Sequence, residues 1–334
     1  MTDRIADTGG SGPTTVPAEG AAPSPKGRFW RVFSQNRMAM AGLVMMVLIA
    51  AGAFVGPLVS PYDTTTQDVM RRYEPPTLEH PMGTDELGRD VMTRVLAGGR
   101  LSLGVGLAAT LIAVVIGITI GALAGFWRGW VDNVLMRLVD LALSLPDLFL
   151  LILASALLGP SVVTMVLIIG LVRWMNMARL VRASFLSLRE REFVEAARAV
   201  GARPARLILV HLLPNSLGPI VVAGTLAVAS AIIAESTLSF LGLGIQPPAS
   251  SWGAMLRNAQ SQIFTSPQLA VFPGLMIFLT VIAINFIGDG LRDALDPGTL
   301  HVDRGARRQL EALLRRGPMR RSEPALDDTQ PGRA

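Results

Sequence analysis

The chain has 334 residues, 51% of them hydrophobic and 16% charged, with mean hydropathy +0.47 and a net charge of +5. A soluble domain carries about 25% charge, so a membrane protein is the class to expect. The absence of cysteine excludes disulfides and thiolate metal sites.

Lys26 is the only lysine. A P-loop holds nucleotide phosphates with Gly-Lys-Ser/Thr, and Lys26 is followed by Gly27, so this chain is not a P-loop ATPase. If ATP drives its activity, another subunit binds it. The arginines gather at the ends of apolar runs and near the C-terminus, which fits orienting charge at a membrane and not nucleic-acid binding.

Residues 1–27 are rich in Gly, Pro, Ser, Thr and Ala and are predicted to be a disordered tail. They do not read as a cleaved signal peptide, because the apolar run starts late, at Met38. Arg28, Arg31 and Arg37 precede that run and predict a cytoplasmic N-terminus. Phe29, Trp30 and Phe33 alternate with them, as in a short helix lying on the membrane surface. The first span is predicted from Met38 to Leu58, so that 28–60 form an interfacial segment and one crossing.

Residues 61–100 read as an extracytoplasmic segment, with Pro61, Pro75, Pro76 and Pro81 as loop signals. Thr84 looks like an N-cap, followed by Asp85 and Glu86 in a first turn. Leu87, Val91 and Val95 then recur every fourth residue, predicting an amphipathic helix that leads into the second span. Arg71, Arg72, Arg89, Arg94 and Arg100 run against the positive-inside trend here. The second span, Leu101 to Phe126, carries the small-xxx-small series Gly117, Gly121 and Gly125, which predicts close helix packing, with a sister subunit as one candidate partner.

The third span is predicted over Met136–Leu158. Arg137, Asp140, Ser144 and Asp147 are spaced to share one helix face, and charge within a membrane helix avoids lipid. With Pro146 as a kink, that face reads as a wall or gate of a translocation path; equally, Arg137 and Asp140 read as a local pair at the cytoplasmic end. After Gly159-Pro160 the fourth run, Val162–Val172, continues into Arg173, Trp174, Asn176, Arg179 and Arg182, as in a helix that crosses and then projects into the cytoplasm.

Residues 190–215 follow, with Arg191, Arg198, Arg203 and Arg206 marking the cytoplasmic side. Ala196, Ala197 and Ala199 favour a helix with little side-chain bulk. Gly201 suits a left-handed helix end and Pro204 the first turn of a second helix, which Pro214 is predicted to stop. Glu195 and the arginines offer charged contacts at the rim. The fifth span is predicted over Leu217–Ile233, with Glu235 near its outer end as a further path candidate. Residues 245–268 hold only Arg257 and read as an outer loop; the last span is Ala270–Ile287. Six spans put both termini in the cytoplasm. Residues 101–302 then make up the core, and 303–334 a mostly disordered tail, with Gln309–Arg316 as a short surface helix.

The 195–214 stretch resembles the EAA loop of ABC-importer permeases. Glu195, Ala196, Ala197, Gly201, Leu213 and Pro214 fall on that pattern with its full spacing. His211 departs from the general Ile, but His-x-Leu-Pro-Asn is how the peptide-permease branch usually reads. Gly83 through Val91, and Leu238 through Gly244 with Pro247-Pro248 and Ser251-Trp252-Gly253, resemble outer segments of the C-type permease subunit of dipeptide and oligopeptide importers. The resemblance covers roughly residues 30–300.

It implies an all-α polytopic membrane protein with six transmembrane helices, the type I importer permease fold, in a bacterial plasma membrane. It also implies a homologous second permease, two ABC ATPase subunits that bind ATP and Mg, an extracytoplasmic substrate-binding protein, and no cofactor on this chain. The implied cargo is di- or oligopeptides, with coupling through the EAA loop. The rival within transport is an ion-coupled secondary transporter of small solutes, which shares buried carboxylates such as Asp140 or Glu235 but needs no such loop. An enzyme is disfavoured: His80, His211 and His301 lie in three separate segments, with no His-Glu-x-x-His.

Overall fold

The computed structural model describes residues 25–295, with side chains from Phe29 onward; the predicted tails at 1–27 and 303–334 lie almost wholly outside these residues, and the helix predicted at 309–316 entirely so. Among the described residues the structure is helical throughout, with one isolated antiparallel bridge between Thr84 and Asp90. Helix α1 (Pro25–Gln35) precedes α2 (Arg37–Val59), which Asn36 caps by accepting from the Met38 and Ala39 amides at 3.1 Å. Five helical rods are long and apolar enough to cross a membrane: α2, α3 (Val91–Trp127), α6 (Val162–Leu188), the continuous run Pro204–Phe240, and α11 (Gln268–Leu295).

The sixth crossing departs from the expected single helix. It is two helices, α4 (Gly129–Leu143) and α5 (Asp147–Leu158), bent by 84°. Pro146 lacks an N–H and disfavours helical geometry at Leu145, so α4 stops and α5 restarts with Asp147 in its first turn. Arg137, Asp140, Ser144 and Asp147 therefore do not share one helix face.

The glycine series of α3 packs within the chain, against α6, and not against a sister subunit. A Cβ added at Gly117 would lie 2.5 Å from the Met177 Cβ, one at Gly121 2.7 Å from the Val181 Cβ, and one at Gly125 2.6 Å from the Phe185 Cβ. Each step of four on α3 meets a step of four on α6, so the two helices run parallel, the side-chain ridge of α6 seated in the glycine groove of α3. Parallel neighbours require the chain to return between them, and α4 with α5 make that return.

The outer segment starts its helix later than expected. Asp90, not Thr84, caps α3, accepting from the Thr93 amide at 2.7 Å. Gly88 has φ +72 and lies against the Asp68 carbonyl, which breaks any helix through 84–89. Thr84 instead ties the loop together, donating to the Arg71 carbonyl and accepting from the Glu74 amide. The amphipathic helix is the first turns of α3.

Four of the five arginines expected on the outer side, Arg71, Arg89, Arg94 and Arg100, have local polar partners. Arg71 pairs with Glu74 and Glu79, Arg89 with Asp85 and Glu86, and Arg94 with Asp85. Arg100 donates at 2.8 Å to the Ala53 carbonyl, the acceptor in α2 left open because Pro57 has no N–H. Residues 245–268 are not simply a loop. They contain α10 (Trp252–Ala259), whose wholly buried Trp252 lies against Gly98 and Gly99 and donates from Nε1 to the Val95 carbonyl at 2.8 Å.

Candidate functional site: a helical elbow and a helix-lined cavity

Helix α7 (Glu192–Ala199) ends in paired hydrogen bonds, from the Ala202 amide to the Ala197 carbonyl at 3.0 Å and from the Gly201 amide to the Arg198 carbonyl at 2.9 Å. Gly201 closes the helix at φ +84, a conformation costly to residues with a Cβ. Pro204 then opens α8 (Pro204–Arg206), as expected. Pro214 does not stop this helix. Residues Leu207–Leu212 adopt π-helical turns, and α9 (Leu213–Phe240) continues the same rod. Pro214 lies inside this run, directly after the π-helical turns. Asn215 Nδ2 and Ser216 Oγ donate to the His211 and Leu212 carbonyls, at 2.6 and 2.9 Å.

The elbow is fastened on one side and open on the other. Val194, Leu207 and Leu212 are buried in a cluster with Val181, Phe185 and Ile220. Glu195, Ala196, Gly201 and Pro214 are exposed, while Ala197 and Leu213 are partly buried. Phe193 and Val200 add apolar surface, Val200 at 87% exposure. At the root, Arg182 makes a two-pronged ion pair with Asp132 of α4 at 2.5 and 2.7 Å, and Arg189 donates to the Phe126 carbonyl at 2.9 Å. An open face of small residues and carboxylates, on an element tied into three helices, can receive a partner and pass force to the bundle.

The path candidates separate in space. Asp140 pairs with Arg179 of α6 at 2.5 Å, both partly exposed, and not with Arg137. The Ser144 hydroxyl donates to the Leu141 carbonyl of its own helix at 2.7 Å, and Pro146 is exposed at the break. Asp147 lines a cavity of about 350 Å³ with Arg173, Asn176 and Ser230. Glu235 is fully buried and accepts hydroxyl hydrogen bonds from Ser239 at 2.7 Å, Ser102 at 3.0 Å and Ser236 at 3.4 Å. Ser102 also accepts from the Trp252 amide at 3.3 Å, so this carboxyl joins α3, α9 and α10. Sequence reasoning missed the cavity role of Arg173, taking it as part of a cytoplasmic projection; its place before Arg179 and Arg182 gave no signal to separate it from them. Among the described residues no cluster of three His, Asp or Glu side chains could hold a metal.

Residues 117–301 match the family described as the binding-protein-dependent transport system inner membrane component, and residues 24–76 match the N-terminal TM domain of oligopeptide transport permease C. The chain belongs to this family of ABC-importer permeases. The permease is 43% identical over 80% of its length to a dipeptide transport system permease of Bacillus subtilis, covering 84% of that protein. It is 41% identical over 82% of its length to a glutathione transport system permease of Pectobacterium atrosepticum, covering 91% of it. A di/tripeptide transport system permease of Pseudomonas aeruginosa is 42% identical, over 82% of this chain and 93% of that one. In fold, the permease is similar to a chain of an inward-facing methionine ABC transporter, with a TM-score of 0.50 and 22% identity over 61% of this chain and 97% of the other. Membership makes it a multi-pass, non-catalytic component of an ABC importer, and the ion-coupled alternative loses its ground.

Proposed function

We propose that this permease imports di- or oligopeptides, pairing with a homologous second permease, receiving cargo from an extracytoplasmic binding protein, and being driven by two ABC ATPases that carry the ATP and Mg. Both termini lie in the cytoplasm, and α7 is the contact with the motor. The observation that carries the docking role is the elbow itself. Its Glu195, Ala196 and Gly201 are exposed while Val194 behind them is wholly buried. Small side chains admit close approach by a partner, and the buried side transmits its motion to α6 and α9. The peptide cargo rests on the relatives named above. Asp140, Ser144, Pro146, Asp147 and Glu235 belong, in this reading, to the path or its gating, with the break at Pro146 as the hinge.

The test is co-purification of the ATPase with the permease, together with peptide uptake. Glu195→Arg puts a like charge into an arginine-rimmed face, and Gly201→Pro demands a φ of about −65° where the backbone has +84. Both variants are expected to insert, to lose most of the bound ATPase and to abolish uptake. Full ATPase retention by both would remove the docking role. Uptake that survives loss of the ATPases and collapses with an ionophore would instead favour ion coupling.

A further inference from the structure

We propose that Arg173 and Asp147 form a charge-reading site for a zwitterionic cargo within the membrane, Arg173 taking the substrate carboxylate and Asp147 its ammonium group. The inference rests on the peptide reading and deepens it. Arg173 lies eleven residues into α6, counted from Val162, which is ~17 Å from the outer turn at 1.5 Å per residue. Asp147 begins α5, twelve residues long and so ~18 Å from the same turn. On the proposed topology, with the 159–161 turn at the outer face and α5 and α6 running across the layer, both charges fall near the middle of a hydrocarbon core about 30 Å thick. Ionisable groups at that depth avoid lipid and face the bundle interior or a water-filled cavity.

Four helices, α3, α5, α6 and α9, line the cavity of about 350 Å³, within the range of about 300–1,000 Å³ typical of small-molecule sites. Asn176 and Ser230 add hydrogen-bonding groups, and the rest of the wall, Met177, Leu180, Ala223 and Leu226 among it, is apolar. The Arg173 Nε is buried without a hydrogen-bond partner, and Asp147 is near enough to act on its charge without an ion pair between them, whereas Arg179 and Arg182 are held in ion pairs by Asp140 and Asp132. A buried donor of this kind has a strong preference for an acceptor, and a guanidinium fits a carboxylate fork to fork. Asp147 is the first residue after the break between α4 and α5, so the chain leaves its helix next to the cavity wall.

The experiment compares dialanine with its C-terminal amide in the complete importer reconstituted in proteoliposomes, each peptide delivered on saturating binding protein. The readout is the ratio of variant to wild-type initial uptake for each peptide, which cancels the binding protein's own preference. Arg173→Gln is expected to lower dialanine uptake about ten-fold or more, the size of a lost charge-assisted hydrogen bond, and to leave the amide within about two-fold. Arg173→Lys, which keeps the charge, restores dialanine uptake in large part. Equal losses for both peptides, as a pairing with the second permease would give, or no loss for either, overturn the site. A wild-type importer that moves neither peptide overturns the cargo reading and the site with it.

Discussion

Glu235 shows how much one side chain can organise inside a membrane helix. Three serine hydroxyls, from α3 and α9, converge on it, and one of them also holds the first amide of α10. Removing the acceptor strands those hydroxyls, at about 1–3 kcal/mol for each that finds no substitute. Glu235→Leu should therefore lower the thermal midpoint of the purified permease well below that of Glu235→Gln, which keeps an acceptor. Equal midpoints would mean the cluster contributes little.

In the loop before α3, the Arg71 hydrogen bonds hold the Glu79 carboxyl below its ordinary range. Because the folded value is the lower one, its stabilisation is complete above the ordinary glutamate value of about 4.3 and is lost as pH falls through the folded value. Hydrogen exchange across the Arg71–Gly88 loop should be slow at neutral pH and rise on acidification below that range. Exchange independent of pH, after correction for intrinsic rates, would contradict this.

Among the elements, the α3–α6 contact makes the clearest demand on sequence. Gly121 sits where a Cβ would meet the Val181 Cβ at 2.7 Å, whereas a Cβ at Gly104 meets nothing within 4 Å. Gly121→Ala should cost about 1–3 kcal/mol through overpacking, while Gly104→Ala should be neutral or slightly stabilising. Thermal unfolding of the two variants side by side checks this, and equal behaviour would refute the parallel packing. That a stripe of Gly117, Gly121 and Gly125 packs closely was readable from spacing alone. Its partner was not, because small-xxx-small spacing carries no address.

Other elements differ for similar reasons. Thr84-Asp85-Glu86 has the composition of a helix start, but the positive φ of Gly88 and the hydrogen bonds of Asp85 to the Leu87 and Arg89 amides make it a loop. Pro214 looked like a stop. The π-helical turns before it, and side chains that serve two nearby carbonyls, let the rod pass through. The α7 turn was legible because Gly201 and Pro204 act locally, through φ and a missing N–H. Helix α10 was missed because its stability comes from burying Trp252 between other helices, a tertiary cause without a local signature.

For the molecule as a whole, the spans and the elbow were legible because hydropathy and arginine placement act over long stretches. The cavity was not, because α3, α5, α6 and α9 meet there from distant parts of the chain. In the proposed function the elbow receives a cytoplasmic motor. The chain has no cysteine, so Ala196→Cys introduces a single thiol on the exposed face of α7, and Leu78→Cys a single thiol on the exposed outer loop. In intact cells the thiol at 78 should react with a membrane-impermeant maleimide and the thiol at 196 should not. In membranes of the assembled importer, a short bismaleimide should join position 196, and not 78, to an ATPase subunit that presents its own thiol at the contact. Labelling of 196 from outside the cell, or no ATPase adduct from 196 with thiols placed along the ATPase surface, would contradict the account.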